Sequence, residues 1–201
     1  MFTVLTVSKI IPRKWYTKAD FNIKTYLSDH DQDHDGVDDQ SDVLQSVRAY
    51  IAMKPKYQSK YYGSGYPDDE FGVCTDVVAF GLLGAGYDLM MLLNEDVKAR
   101  NDVYKIKTRD KNIDFRRVNN LKIFFDEHAL SLTIDVNNID EWQGGDIVVF
   151  KKHIGIVSNK RNEKGIPFVI HHGSPYQLSY EEDILEERDD IVDHYRIIPL
   201  P

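Results

Sequence analysis

Hydrophobic positions recur at helical spacing in three stretches of the chain. Val43, Leu44, Val47, Tyr50 and Ile51 form one stripe, which predicts a helix over residues 41–53, ended by Pro55. Val77, Val78, Leu82 and Leu83 form a second stripe; its helix is expected to open at Cys74 or Thr75 and to run to about residue 85 or 92. Val118, Leu121, Phe124 and Phe125 predict a third helix over residues 116–128. Beyond residue 140 the period shortens toward two. Residues 146–150, 154–158 and 168–171 read as strands rich in Val, Ile and Phe, with 194–198 as a candidate last strand. Gly144-Gly145 and Lys164-Gly165 supply turns. Residues 1–28 read as an extended lead-in whose Trp15-Tyr16 pair lies across a neighbouring surface, and residues 54–73 as a loop rich in Tyr, Gly and Pro. Helices followed by an antiparallel sheet make an α+β domain.

A chain of 201 residues, 42% hydrophobic and 29% charged, buries a core without disulfide support. It contains no run of eighteen apolar residues, so no membrane span is expected. Residues 1–11 are too short and too polar for a complete signal peptide. The net charge of −8 is uneven. Seven aspartates fall within residues 29–42, and a second acidic run covers 181–190. What remains is weakly positive and scattered, which argues against a nucleic-acid surface. The 181–190 run lacks ligand spacing and is expected to be an exposed acidic face.

Cys74 is the lone cysteine, so neither an intrachain disulfide nor a multi-cysteine zinc site is available. It stands in Gly72-Val-Cys-Thr-Asp-Val-Val at the expected helix start, where free amides and the helix dipole favour a thiolate. His153 opens the strand His-Ile-Gly-Ile-Val-Ser, and His171 closes Phe-Val-Ile-His. Adjacent antiparallel strands would bring the two rings side by side, with His172 facing the other way. A base for the thiol proton and a partner to hold that base are what a thiol nucleophile needs. The residues alone leave Cys74 open between nucleophile and core thiol.

The order of these pieces resembles the NlpC-type branch of papain-like cysteine peptidases, which act on cell walls. More closely, Gly72 to Tyr195 resembles the bacterial domain-of-unknown-function family 1287. The resemblance is carried by Gly-Val-Cys74-Thr-Asp-Val-Val, Gly-Tyr-Asp88-Leu, Asn94-Glu-Asp96, Asn-Ile-Asp114-Phe-Arg-Arg117-Val, Gly-Asp146-Ile-Val, His153-Ile-Gly-Ile-Val-Ser, Val-Ile-His171 and His194-Tyr-Arg196. It implies a papain-like domain with N-terminal helices packed on a small antiparallel sheet, and Cys74, His153 and His171 as the catalytic set. The family's usual Asp-His-Arg-Arg is Asp114-Phe115-Arg116-Arg117 here, so position 115 is no catalyst. Asp114, Arg116 and Arg117 are expected to be structural, the arginines pairing with Asp114 or Asp110. The Cys74 amide is the expected half of an oxyanion hole, with the second donor sought in residues 66–71.

Residues 31–42 place acids at positions 1, 3, 5, 9 and 12 of a loop, with Gly36 at position 6. That is the spacing of an oxygen-lined calcium loop. The expected ligands are Asp31, Asp33, Asp35, the Val37 carbonyl, Asp39 and Asp42. Aspartate at position 12 resembles dockerin-like and thrombospondin-type loops. The expectation is therefore an N-terminal extension (1–53) carrying structural calcium, followed by a cysteine hydrolase domain (54–201). It would act outside the cytoplasm on a peptide or amide, such as peptidoglycan fragments. A catalytically silent wall-binding module and an acyl transferase using the same thiol are the alternatives.

Overall fold

The computed structural model describes residues 14–201, so the expectation for residues 1–11 lies outside the described part. Its main elements are helices α1 (Asp39–Ala52), α2 (Cys74–Gly84), α3 (Leu89–Ala99), α4 (Asn101–Tyr104), α5 (Lys111–Asp114) and α6 (Val118–His128). The strands are β1 (Lys56–Tyr57), β2 (Phe71–Gly72), β3 (Leu130–Ser131), β4 (Ile147–Phe150), β5 (His153–Arg161), β6 (Pro167–Ile170), β7 (Glu181–Glu182) and β8 (Ile191–Arg196). β1 and β2 form a small parallel pair. The six-stranded sheet has the order β3-β8-β4-β5-β6-β7, and every pair in it is antiparallel. The molecule is thus α+β with helices on an antiparallel sheet. Among the described residues no single helix is long and apolar enough to cross a membrane.

Alternation along the strands divides the core in two. Ile147, Val149, Ile154, Ile156 and Ile170 face the helices and join Val43, Val47, Val77, Leu82, Leu93, Leu121 and Phe125 in one cluster. Val148, Phe150, Val157 and Val169 face the other way, onto Trp142, Ile166 and Leu185. Each fully buried side chain of this size contributes about 1.5–3 kcal/mol. Helix α1 packs along α2 and shares its cluster, so the boundary expected after residue 53 falls between elements of a common core.

Of the two ends expected for the helix that opens at residue 74 the shorter is found: α2 stops at Gly84, and α3 follows after a bend of 102°. Asp88 starts the second by accepting from the Met90 and Met91 amides. The strand expected at 194–198 spans Ile191–Arg196 and lies inside the sheet, between β3 and β4. In the lead-in, Tyr16 bridges Arg161 of β5 through two backbone hydrogen bonds of 2.8 Å, while Trp15 stays half exposed. The 181–190 run is a solvated face only in part: Glu186, Glu187 and Asp189 are exposed, and the rest is engaged. Glu181 bonds Arg48, Ser158 and Lys160, Asp183 is buried, and Arg188 pairs with Asp190.

Candidate active site

Cys74 is the first residue of α2, and a buried ion pair sets its position. The Asp76 carboxylate accepts the Val73 amide at 2.8 Å and is held by Arg116 through Nε at 2.6 Å and Nη2 at 2.9 Å. Arg116 also donates to the Lys60 carbonyl at 2.5 Å. Both side chains are essentially inaccessible to water. This bidentate clamp ties the helix start to the loop before it. Arg116 is structural as expected, but its partner is Asp76, not Asp114 or Asp110. Phe115 is fully buried against Tyr66.

α2 packs on β5, which brings the Ile154 amide near the Cys74 sulfur. At this end of the sheet lies a cleft of about 450 Å³ lined by Cys74, His153, His171, Tyr57, Glu182 and Arg188, among others. The pairing Ile156↔Ile170 sets Gly155 opposite His171. A Cβ at Gly155 would lie 2.9 Å from the Ile170 carbonyl and 3.2 Å from the His171 Cβ. The missing side chain leaves the His171 ring room to reach His153, two residues along the strand. The two rings meet edge to face, with His153 Nε2 3.0 Å from His171 Nδ1.

The far nitrogen of His171, Nε2, lies 3.2 Å from the Glu182 carboxylate. Gln177 Nε2 is 3.4 Å away, but it donates to the His171 carbonyl at 3.0 Å and the Ser179 carbonyl at 2.6 Å, which uses both its hydrogens. Glu182 is then the acceptor for His171 Nε2–H. That leaves His171 Nδ1 to accept from His153 Nε2–H, and a lone pair on His153 Nδ1. The tautomers of both rings follow from one carboxylate. No hydrogen bond joins His153 to the Cys74 sulfur.

Burial favours the neutral forms of the thiol and both imidazoles. It pushes the Cys74 thiol up to about 11, against the Ile154, Thr75 and Cys74 amides that favour the anion. It lowers His153 to about 4, helped by the Arg188 charge, and His171 to about 3, helped by His153. The thiolate expected from the helix dipole is therefore outweighed by desolvation. His172 packs between Tyr57 and Tyr180 and does not line the cleft. Residues 66–71 do not line it either; Tyr57 does. Tyr57 and Glu182 had no readable signal, one lying in a tyrosine-rich loop and the other in an acidic run.

The aspartate loop lies apart from the cleft. Asp31, Asp33 and Asp35 each offer a carboxylate oxygen, all within 4.8 Å of one another. Burial and the charges of Asp35, Asp33 and Asp31 raise the Asp42 carboxyl to about 6. Asp39 departs from the expected ligand set. Its carboxylate turns inward, accepting the Tyr87 hydroxyl at 2.6 Å and the Gln32 amide at 2.8 Å.

With this geometry in view, residues 44–197 match the model of a family described as Domain of unknown function (DUF1287). The chain belongs to this family. It is 37% identical over 163 residues to "Uncharacterized protein YijF" of Escherichia coli (strain K12), an alignment covering 76% of this chain and 77% of the relative. No solved structure matches the chain. The DUF1287 match contains Cys74, His153, His171 and Glu182, and it begins after the aspartate loop.

Proposed function

We propose that the protein is a cysteine hydrolase of the papain-like, NlpC type that cleaves a peptide or amide bond. One observation carries the reading: a cysteine at a helix start shares a cleft with two histidines whose hydrogen bonds run outward to a carboxylate. His153 Nδ1 takes the Cys74 proton as the sulfur attacks the substrate carbonyl carbon. The imidazolium then donates from Nε2 to His171, which passes its polarity to Glu182. The Cys74 amide and the Tyr57 hydroxyl serve the oxyanion. His153 returns its proton to the leaving amine, and water hydrolyses the thioester.

A neutral thiol–imidazole pair suits a general-base mechanism, in which substrate binding brings sulfur and ring together. Lys152 on the cleft lining complements a substrate carboxylate, as in the acidic peptides of bacterial walls, and a site outside the cytoplasm suits that substrate. Muropeptide digestion by the wild type and by Cys74→Ala tests the proposal, with thiol labelling and a melting curve on both. The expected result is loss of at least about 10⁴-fold in rate with the fold kept. Equal rates, or no turnover of any peptide or amide by a wild type whose Cys74 resists alkylation, would leave a silent binding module as the better reading. Transfer to an added amine in place of water would identify a transferase.

A further inference from the structure

The aspartate loop is tied firmly to the rest of the chain at both ends. Asp38 caps α1, accepting the Ser41 amide at 3.3 Å, and also takes the Ser28 amide at 2.9 Å. The Asp39 amide donates to the His30 carbonyl at 2.9 Å. Between these anchors the backbone turns through left-handed residues, His34 at φ 63° and Gly36 at φ 94°. The turn aims the Asp31, Asp33 and Asp35 carboxylates at one point.

A separate observation comes from the helix. Asp42, in the first turn of α1, is only 6% exposed, and its Oδ2 has no hydrogen-bond partner. Its backbone amide donates to the carbonyl of Asp38, the residue that closes the loop, at 3.0 Å. Among the described residues no lysine or arginine forms an ion pair with Asp31, Asp33, Asp35 or Asp42. A buried, unpartnered carboxylate oxygen at the end of a loop that gathers three further carboxylates is costly in both desolvation and repulsion. A cation at their centre removes both costs.

We propose that this loop binds one calcium ion through the carboxylates of Asp31, Asp33, Asp35 and Asp42. The Val37 carbonyl and water complete the shell, and Asp39 takes no part. Four carboxylates on a flexible turn fit calcium, whose shell holds six to eight oxygens at varied angles. Magnesium demands a tight octahedron and keeps most of its water. The ion joins residues 23–38 to α1, and α1 packs on the helix that carries Cys74. The site precedes the DUF1287 match, so it stands or falls independently of the hydrolase reading.

The test is calorimetric titration of the EDTA-stripped chain with calcium chloride or magnesium chloride, with thermal melts alongside. One binding site is expected, with calcium at least tenfold tighter than magnesium. At a hundredfold excess over Kd, calcium should raise Tm by about 5–10 °C. Asp31→Asn with Asp35→Asn should weaken binding at least a hundredfold and erase the shift. Asp42→Asn should also lose the shift, yet melt above wild type in EDTA, because it removes the repelled charge. It carries the test if the double variant fails to fold. No heat and no shift at millimolar calcium, an equal response to magnesium, or a shift undiminished in the variants would overturn the proposal.

Discussion

Two histidine–carboxylate assemblies sit on the same sheet. In the cleft, His153, His171 and Glu182 form an open chain with one ring nitrogen unspent. Along β4 and β8, His194, Asp146 and Arg196 form a closed knot. His194 Nδ1 lies 2.8 Å from the Thr133 carbonyl and Nε2 3.0 Å from Asp146, and the ring stacks on Trp142 at 3.8 Å. Arg196 grips Asp146 with two hydrogen bonds of 2.8 Å. Burial alone would push the Asp146 carboxyl up; the His194 and Arg196 hydrogen bonds outweigh it and hold it below its ordinary value. A histidine beside a carboxylate thus offers chemistry only where a nitrogen is left over and a cleft reaches it. Where both ring nitrogens face fixed protein acceptors and no cleft reaches them, the same residue types become a structural pin.

The largest expected contrast comes from removing one histidine from each assembly. His153→Ala should lower turnover by about 10²–10⁴-fold and change Tm by only a few degrees. His194→Ala should leave the Asp146–Arg196 pair in place but open a cavity beside Trp142 and remove two buried hydrogen bonds, costing about 3–5 kcal/mol, or roughly 10 °C in Tm. Its rate per folded molecule should be unchanged. Rates and melting curves on both variants check this; a slow but fully stable His194→Ala enzyme would break the distinction.

A smaller effect is expected from the end of the relay. Glu182→Gln keeps the shape and removes the charge that sets the His171 tautomer. We expect kcat to fall by about 10–100-fold, the kinetic equivalent of the 1.5–3 kcal/mol carried by a hydrogen bond to a charged group. KM should hold and the acidic limb of the pH–rate profile should move. A Tm loss with an unmoved profile would make Glu182 merely structural.

The smallest effect is on stability against pH. His153 and His171 bind protons less readily folded than unfolded, so the unfolded chain takes up protons first as pH falls below about 6.5. Their contribution is intact above that pH and is lost as pH falls toward the folded values near 4 and 3. Between pH 6.5 and 5.5 the loss is about 1 kcal/mol per histidine. Denaturant unfolding across that range should show a shallower slope for His153→Asn with His171→Asn; parallel slopes would place the titration elsewhere.

The sequence by itself determined what depends on neighbours along the chain. Apolar spacing was enough for α1, α2 and α6, because a helix face repeats within four residues. The turn at 31–42 and its aspartate spacing were legible for the same reason, as were Cys74 at a helix start and His153 and His171 on strand ends. The tertiary structure decided what depends on register and burial. That Arg116 reaches Asp76, that Asp39 turns inward to Tyr87, and that Glu182 ends the histidine chain follow from pairings dozens of residues apart in two of the three cases. Whether the thiol rests as an anion was also beyond local reading. The helix start argues for the thiolate, and burial against the packed sheet pushes the thiol up and favours the neutral form.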